Sequence, residues 1–462
     1  RSAMGVDTAF LTDALGETKV STSADALSEH ATDWGTQDGT EPDVVVYPET
    51  TEEVSTILAA ATDRGVPVTP YAAGTSLEGN PVPAEGGISM NLTRMNDVVD
   101  VRPGDFQMDV QPGVMGPTIE EAAGEEGLFF PPLPSSGDIS TIGGMIANAA
   151  SGMQTVKYGE VADWVLELEV VLADGSVITA GSKAVKTSSG YNLRDLIIGS
   201  EGTLGVVTEA TLELAGRPEQ IRGGRALFPD LSTATAAVTD VIQSGVDVAK
   251  IELIDEESAM MSNEYTGADM PDAPMVFFEF HADHAIDEEI GFCRAVVEEH
   301  DPLEFEIADE ERMADLWQAR KDLAFATRSW DPDLHPLHPG DVTVPISEYG
   351  PLIEEIKRLG EEYDLLAPCF GHAGDGNIHY TVLVDTDDEE QVARGEKLYS
   401  EIVRRAIEVG GTATGEHGIG QGKREYLIAE HGEETVAAMR GIKEALDPAG
   451  TLNPGKIFPD DE

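Results

Sequence analysis

Basic residues are scarce in this 462-residue chain: 29 Lys plus Arg stand against 87 Asp plus Glu, a formal net charge of −58. A surface of that sign repels phosphate backbones and anionic headgroups, which makes nucleic acid and lipid surfaces poor partners. Cysteine is nearly absent. Cys293 and Cys369 supply neither the four thiolates of an iron–sulfur cluster nor a disulfide framework, and the expected setting is a reduced intracellular compartment. Cys369 stands near a His-rich stretch but reads as a small buried apolar residue rather than a ligand. Long apolar runs are missing too: no stretch reaches the roughly 18 consecutive residues of a membrane-spanning helix, and none near the start has signal-sequence character. The chain opens on Arg1 rather than Met, and its first few residues are left out of fold reasoning.

At 41% hydrophobic, the chain has enough apolar material and length for two or three domains. Asp and Glu are dispersed among Val, Ile and Leu, so the acid belongs to a folded surface and not to a disordered tail. Such a surface repels itself in dilute salt, by a force that fades once the Debye length shrinks to about 3 Å near 1 M salt. We read this as adaptation to a very salty cytoplasm, which the excess of 18 Arg over 11 Lys fits. An ordinary acidic cytosolic enzyme is the plainer alternative.

From Asp43 the pattern is strand, helix, strand: Val44 to Tyr47 are β-formers, Thr50 to Arg64 has helical apolar spacing, and Val66 to Thr69 is extended again. Thr50 or Thr51 serves as N-cap, Glu52 and Glu53 fill the first turn, and Gly65 follows as C-cap. Further β-like runs at Ile88 to Asn91, Leu166 to Leu172 and Val177 to Thr179 complete an α+β domain. After Arg217 and Pro218 the glycine-rich loops thin out. Val276 to Phe280 and Val342 to Ile346 read as strands, and Asp387 to Val409 and Glu434 to Leu446 as helices, so a second domain begins here.

Directly after the second strand comes Pro70-Tyr71-Ala72-Ala73-Gly74-Thr75-Ser76-Leu77-Glu78-Gly79-Asn80. Its glycines permit positive φ and let backbone N–H groups approach an anion, while Thr75 and Ser76 add hydroxyls. Pyrophosphate is the natural guest, although one such loop alone is more often an ordinary turn. Three more segments alter that balance: Pro134-Ser135-Ser136-Gly137 to Thr141-Ile142-Gly143-Gly144 with Asn148, Ser151-Gly152 to Tyr158-Gly159, and Glu201-Gly202-Thr203-Leu204-Gly205-Val206-Val207-Thr208. Four glycine-rich loops in one domain point to a long cofactor laid across it. With these loops in order, 42–217 resembles the FAD-binding domain of the vanillyl-alcohol oxidase and p-cresol methylhydroxylase flavoproteins. The resemblance implies that Tyr71, Ala73, Gly74, Thr75, Ser76, Gly79, Pro134, Ser135, Thr141, Gly143, Gly144, Asn148, Ser151, Gly152, Tyr158, Glu201, Gly205, Val207 and Asn453 hold FAD. Some relatives attach the flavin through His or Cys, but Tyr71 to Asn80 and Asn148 to Tyr158 contain neither, so noncovalent FAD is implied.

The second constellation is His372-Ala373-Gly374-Asp375-Gly376-Asn377-Ile378-His379, followed by Gly415-Glu416-His417-Gly418. Gly374 and Gly376 disfavour a helix, so the two imidazoles converge through a bend in extended chain, and a later carboxylate would complete a three-ligand site. That donor set suits Zn²⁺, with Mn²⁺ and Fe²⁺ also open; partly buried hydrogen-bonding histidines are the competing reading. This run, then Gly415 to Gly420, then Asn453-Pro454-Gly455-Lys456, is similar to the D-lactate and D-2-hydroxyglutarate dehydrogenase branch, a family that includes the glycolate oxidase D subunit. The likeness spans about Pro42 to Phe458. It implies a divalent metal on His372, His379 and Glu416, His417 as base, and Asn377 on the substrate hydroxyl. Arg320, in Trp317-Gln318-Ala319-Arg320, resembles the family's carboxylate clamp, for which a guanidinium fork is well shaped. Relatives carry a lysine shortly before the strand seen here as Asp341 to Pro345, where this chain offers His335 and His338.

The expected architecture is therefore α+β, with a two-part FAD-binding domain of the p-cresol methylhydroxylase type and an α+β cap domain with an antiparallel sheet. Residues 1–41 form an N-terminal helical segment, 42–217 the FAD-binding domain, 218–410 the substrate domain with the metal motif, and 411–462 a segment returning to the active site. The expected reaction is oxidation of a small D-2-hydroxy acid, D-lactate first, with glycolate and D-2-hydroxyglutarate as alternatives. Electrons pass to an external acceptor: a quinone, an Fe–S partner or an electron-transfer protein. A cytoplasmic location, with peripheral contact to the inner membrane face allowed, and a homodimer, also allowed, complete the reading. Two other classes are open: a flavoprotein transferase of the ether-lipid synthase type, against which the metal motif speaks, and a flavin-free metallohydrolase, which leaves the four loops unexplained.

Overall fold

In the computed structural model, which describes residues 6–460, the helix Thr51–Arg64 is set by its ends. The Thr50 side chain accepts from the Glu53 N–H at 3.2 Å, and Gly65 closes the last turn at φ 64°. An accepting hydroxyl at the start and a left-handed glycine at the end are what an isolated helical turn lacks. Its buried face, Val54, Ile57, Leu58 and Ala61, packs with Val44, Val46, Ile88 and Met90. Those residues belong to a sheet of β1 (Val20–Ser21), β2 (Val44–Val46), β3 (Val68–Tyr71) and β4 (Ile88–Asn91), ordered β1-β2-β4-β3, in which β4 runs parallel to both β2 and β3.

A second, antiparallel sheet follows from β5 (Val98–Arg102) and β6 (Gln107–Val110). After β7 (Leu128–Phe129) come β8 (Val165–Val171), β9 (Val177–Gly181) and β10 (Val206–Glu213), giving the order β5-β6-β10-β8-β9; β11 (Ala215–Gly216) pairs with β7. Both sheets belong to one unit, made of the chain through Ser151, Gly159–Arg217 and everything from Glu416. The last of these pieces is stitched in by the Asn453 N–H donating to Val68 O at 2.8 Å and the Lys443 ammonium donating to Thr203 O at 2.7 Å.

The other unit comprises Gly152–Tyr158 and Pro218–Gly415. Its seven strands are β12 (Gln220–Leu227), β13 (Lys250–Ile254), β14 (Met275–Ala282), β15 (Glu304–Ala308), β16 (His335–Thr343), β17 (Cys369–His372) and β18 (Asn377–Val384). They form an antiparallel sheet ordered β15-β12-β14-β13-β17-β18-β16. The fold is thus α+β, as the sequence indicates. The strand expected at Val342 to Ile346 instead starts at His335 and stops at Thr343, because Pro345 lacks an N–H for the ladder and Ile346 opens the helix Ile346–Tyr363. Pro336 and Pro339 are tolerated within β16 because it is the sheet's edge, with an irregular register between them. The helix Glu389–Glu408 is capped by Asp388 and buries Leu398, Ile402, Val403 and Ala406.

Two substitutions test the first helix. Ile57→Ala should destabilise by about 2–5 kcal/mol, the range for opening a cavity in a packed core. Thr50→Ala should cost about 1 kcal/mol through loss of the cap. Equilibrium urea unfolding of both variants beside the wild type measures the two, and equal losses would contradict this packing.

Candidate active site

In the seven-stranded sheet, ladder register does the assembling. Gly374 and Gly376 let the chain reverse between β17 and β18, Gly376 at φ 80°, where a Cβ would strike the Val344 carbonyl. Register then sets Glu252 on β13 opposite His372, Asp341 on β16 opposite His379, and Thr343 opposite Asn377. The two imidazoles meet edge to face with ring centroids 5.1 Å apart and are 4% and 9% exposed. His372 Nδ1 donates to Glu252 Oε1 at 2.6 Å, and His379 Nδ1 faces Gly340 O at 3.4 Å and Asp341 Oδ1 at 3.9 Å. Nδ1 protons held by acceptors place the ring lone pairs on Nε2, the arrangement in which histidines bind a divalent cation.

The Asn377 amide donates to Asp341 Oδ1 at 2.8 Å and to the Thr343 hydroxyl at 3.1 Å. Its own Oδ1, though buried, accepts no hydrogen bond among the described residues. A buried acceptor of this kind suits a hydroxyl donor. Thr414 donates to the other Asp341 oxygen at 3.1 Å. Arg320 is buried, its guanidinium 4.7 Å over the Phe370 ring, with Nε and Nη2 each 2.6 Å from Glu252 Oε2. His335 and His338 stand about 20 and 10 Å along β16 from Asp341, at about 3.3 Å per residue. His338 is paired with Glu396 at 3.0 Å, so neither replaces the missing lysine beside the imidazoles. Cys369 is fully buried, its thiol pushed up to about 12 by burial, and is the apolar residue expected.

In the first unit, Glu416 and His417 lie on a segment held through its backbone. Asn80 and Asn148 both donate to His417 O, at 3.3 and 3.1 Å, and Ser151 donates to Glu416 Oε2 at 3.2 Å. His417 Nδ1 stands 3.7 Å from Glu78 Oε1, which also faces the fully buried Lys423 ammonium at 3.4 Å. The Glu201 carboxylate accepts from Ile419 N at 3.1 Å, Gly420 N at 2.8 Å and the Asn80 amide. Burial drives its pKa up, against the lowering pull of those donors. Asn453 donates to Asn80 O at 3.0 Å and to Glu201 O at 2.8 Å. Two residues assigned to the cofactor, Asn148 and Glu201, thus spend polar atoms on fixing this segment, and Asn453 braces two of its holders, Asn80 and Glu201.

The loop after β3 has the shape of a cradle. Gly74 and Gly79 adopt φ 67° and 72°; a Cβ at Gly74 would strike the Tyr71 hydroxyl, and one at Gly79 would lie 2.8 Å from Gln421 Oε1. Thr75 is linked to Ser140 at 3.0 Å, and Thr141 caps the turn that carries Gly143 and Gly144. These loops fit a pyrophosphate-bearing cofactor, which backbone amides and hydroxyls hold. Pro134, Ser135, Gly205 and Val207 line the same unit, whereas Gly152 and Tyr158 belong to the other, where the Tyr158 hydroxyl meets His281 Nδ1 at 2.8 Å.

A glycine cradle in one unit and a buried histidine pair on an antiparallel sheet in the other define a two-part flavoprotein. Residues 42–181 match the FAD binding domain family and 217–457 match the FAD linked oxidases, C-terminal domain. The chain belongs to the FAD-linked oxidases. It is 36% identical over 448 residues, 96% of this chain and 90% of its relative, to a probable mitochondrial D-lactate dehydrogenase of Danio rerio. Against glycolate oxidase subunit GlcD of Bacillus subtilis (strain 168) it is 36% identical, covering 91% of this chain and 90% of that one. Against the mitochondrial D-lactate dehydrogenase [cytochrome] of Arabidopsis thaliana it is 38% identical, covering 90% and 74%. Among solved structures, p-cresol methylhydroxylase shares the fold with a TM-score of 0.80 at 17% identity, covering 98% of this chain and 97% of that one. Alkyldihydroxyacetonephosphate synthase shares it with a TM-score of 0.76 at 20% identity, covering 95% and 82%.

Sequence reasoning missed Glu252, Asp341 and Glu78. The available signal was a carboxylate inside an apolar strand, Lys250-Ile251-Glu252-Leu253-Ile254, which folding tolerates only when the charge is paired.

Lys456, in the Asn-Pro-Gly-Lys motif, donates to Val82 O and Asn453 Oδ1, and burial pulls its pKa down to about 8. The folded state therefore releases this proton before the unfolded chain does. The cost of the buried charge is fully present below pH 8 and is relieved as pH rises from about 8 toward about 10.4, by at most about 1.4 kcal/mol per pH unit. Unfolding free energies of wild type and Lys456→Met across this window should draw apart in favour of the wild type; a constant difference would refute the assignment.

Proposed function

We propose that this FAD-linked oxidase oxidises a small D-2-hydroxy acid, D-lactate to pyruvate first among them, with noncovalent FAD and a divalent cation, zinc by preference. The observation that carries the reading is the buried pair His372 and His379, each anchored through Nδ1 with Asn377 alongside. In this reading 42–217 serves FAD, 218–410 the substrate, and 411–462 brings Glu416 and His417 to it. Thr414 is bonded to Asp341, the cross-strand neighbour of His379, and Glu416 follows two residues later, within about 7.6 Å of chain at about 3.8 Å per residue. In this reading His372, His379 and Glu416 are the ligand set.

When bound, the flavin supplies a hydride acceptor and the cation the charge that acidifies the substrate hydroxyl. His417 takes the hydroxyl proton, its backbone fixed by Asn80 and Asn148 and its ring facing Glu78. Asn377, its amide fixed by Asp341 and Thr343, would help hold the substrate hydroxyl beside the imidazoles. Arg320 offers its remaining donors to the substrate carboxylate, from a plane fixed by Glu252 and Phe370.

Glycolate is the second reading, favoured by the glycolate oxidase relative. The transferase reading is disfavoured, since the likeness to the synthase is one of fold at 20% identity. No helix among the described residues is long and apolar enough to cross a membrane. A cytoplasmic setting of high salt, with electrons leaving to a quinone, an Fe–S protein or an electron-transfer protein, completes the proposal.

An anaerobic visible spectrum provides the test. D-lactate should bleach the flavin band and L-lactate should not; dialysis against EDTA should slow bleaching at least tenfold, with Zn²⁺ or Mn²⁺ restoring it. A yellow protein that neither isomer bleaches would discard D-lactate, and one indifferent to EDTA would discard the metal.

The surface charge carries its own expectation. The melting temperature should climb between about 0.1 and about 2 M KCl, as screening removes self-repulsion. A flat or falling profile would contradict adaptation to salt.

A further inference from the structure

Glu252 sits mid-strand between Ile251 and Leu253, its side chain 0% exposed. One oxygen, Oε1, accepts from His372 Nδ1 at 2.6 Å; the other, Oε2, lies 2.6 Å from both Nε and Nη2 of Arg320. The arrangement closes on its far side as well. Arg320 lies over Phe370, and Phe370 opposes His379 across the β17–β18 ladder, with ring centroids 5.5 Å apart.

We propose that Glu252 is a positioning residue shared by the cation-binding and carboxylate-binding halves of the site, one oxygen fixing the His372 tautomer and the other the Arg320 fork. The proposal rests on the reading of His372 as a metal ligand and Arg320 as the substrate clamp. Its physical basis is that a carboxylate is acceptor-only on both oxygens, so it serves two donors at once. Glutamine presents one oxygen and one N–H₂, so in any rotamer it faces one of the two with a donor. Aspartate, one methylene shorter, leaves the pair out of reach.

The distinguishing feature is a double signature. In the purified holoenzyme, Glu252→Gln should raise the Zn²⁺ dissociation constant, measured by competition with a chelator, by about 10–100-fold, as loss of a histidine's orienting carboxylate does. It should also raise KM for D-lactate several-fold. Arg320→Lys, which keeps a cation beside an intact Glu252, should raise KM while leaving Zn²⁺ affinity within twofold. A folded Glu252→Gln protein with wild-type Zn²⁺ affinity overturns the proposal, as does an Arg320→Lys variant whose Zn²⁺ affinity falls as far as its KM rises. Should Glu252→Gln not fold, ¹H–¹⁵N spectra of the wild type decide, with the His372 signal assigned by its loss in His372→Gln. A proton on Nδ1 is expected, and one on Nε2 overturns the role of Glu252. His372→Ala separates the two levels: wild-type Zn²⁺ affinity in that variant removes the metal reading itself. Loss of Zn²⁺ there with retention in Glu252→Gln removes only the positioning role.

Discussion

Much of the first unit converges on one buried carboxylate, that of Glu201. Glu201 takes a left-handed backbone, φ 54°, unusual for a residue with a Cβ. In that conformation its side chain gathers the amides of Ile419 and Gly420 and the Asn80 side chain, while its carbonyl accepts from Asn453. A strained backbone costs about 1–3 kcal/mol, and each hydrogen bond to a buried charge returns about 1.5–3 kcal/mol. The three side-chain bonds together thus outweigh the strain, and losing a donor leaves a buried carboxylate oxygen short of a partner. Gly418 shows how tightly the segment is drawn in: a Cβ there would lie 2.9 Å from Asn80 Nδ2 and 3.0 Å from the Glu201 carboxyl carbon. His417 sits at the middle of this knot.

The two units prepare their chemistry by different means. On the seven-stranded sheet, ladder register places Glu252, His372, His379 and Asp341 with no loop to adjust them, and sheet backbone is a rigid mount. In the first unit, loops carry the polar residues, and side-chain-to-backbone bonds such as Asn148 to His417 O supply the rigidity that strands provide elsewhere. Both solutions bury polar atoms, so both are intolerant of losing a single partner.

What the sequence discloses follows from the range of the forces involved. The helix Thr51–Arg64 was legible because Thr50 and Gly65 act on their immediate neighbours. The reversal between His372 and His379 was legible because Gly374 and Gly376 lie inside it. Glu252 was legible only as a charge that an apolar strand must pair; its partners, 68 and 120 positions away, were not, because no spacing connects them. The early start of β16 was hidden by Pro336 and Pro339, which argue against a strand unless the strand is known to be an edge. Glu201 was legible as a residue of a glycine-rich loop, but its hold on Ile419 and Gly420, more than two hundred positions on, was not.

The first unit is interrupted in the chain: its final piece, from Glu416, comes after the whole of the second unit. During synthesis, therefore, the unit that starts first finishes last. The seven-stranded sheet can close as soon as its own segment has left the ribosome, whereas β3 must wait for Leu452 and Asn453, and the Glu201 carboxylate for Ile419 and Gly420. Until then the nascent chain carries an acidic group prepared for donors that do not yet exist, and an open sheet edge of the kind that pairs with neighbouring chains.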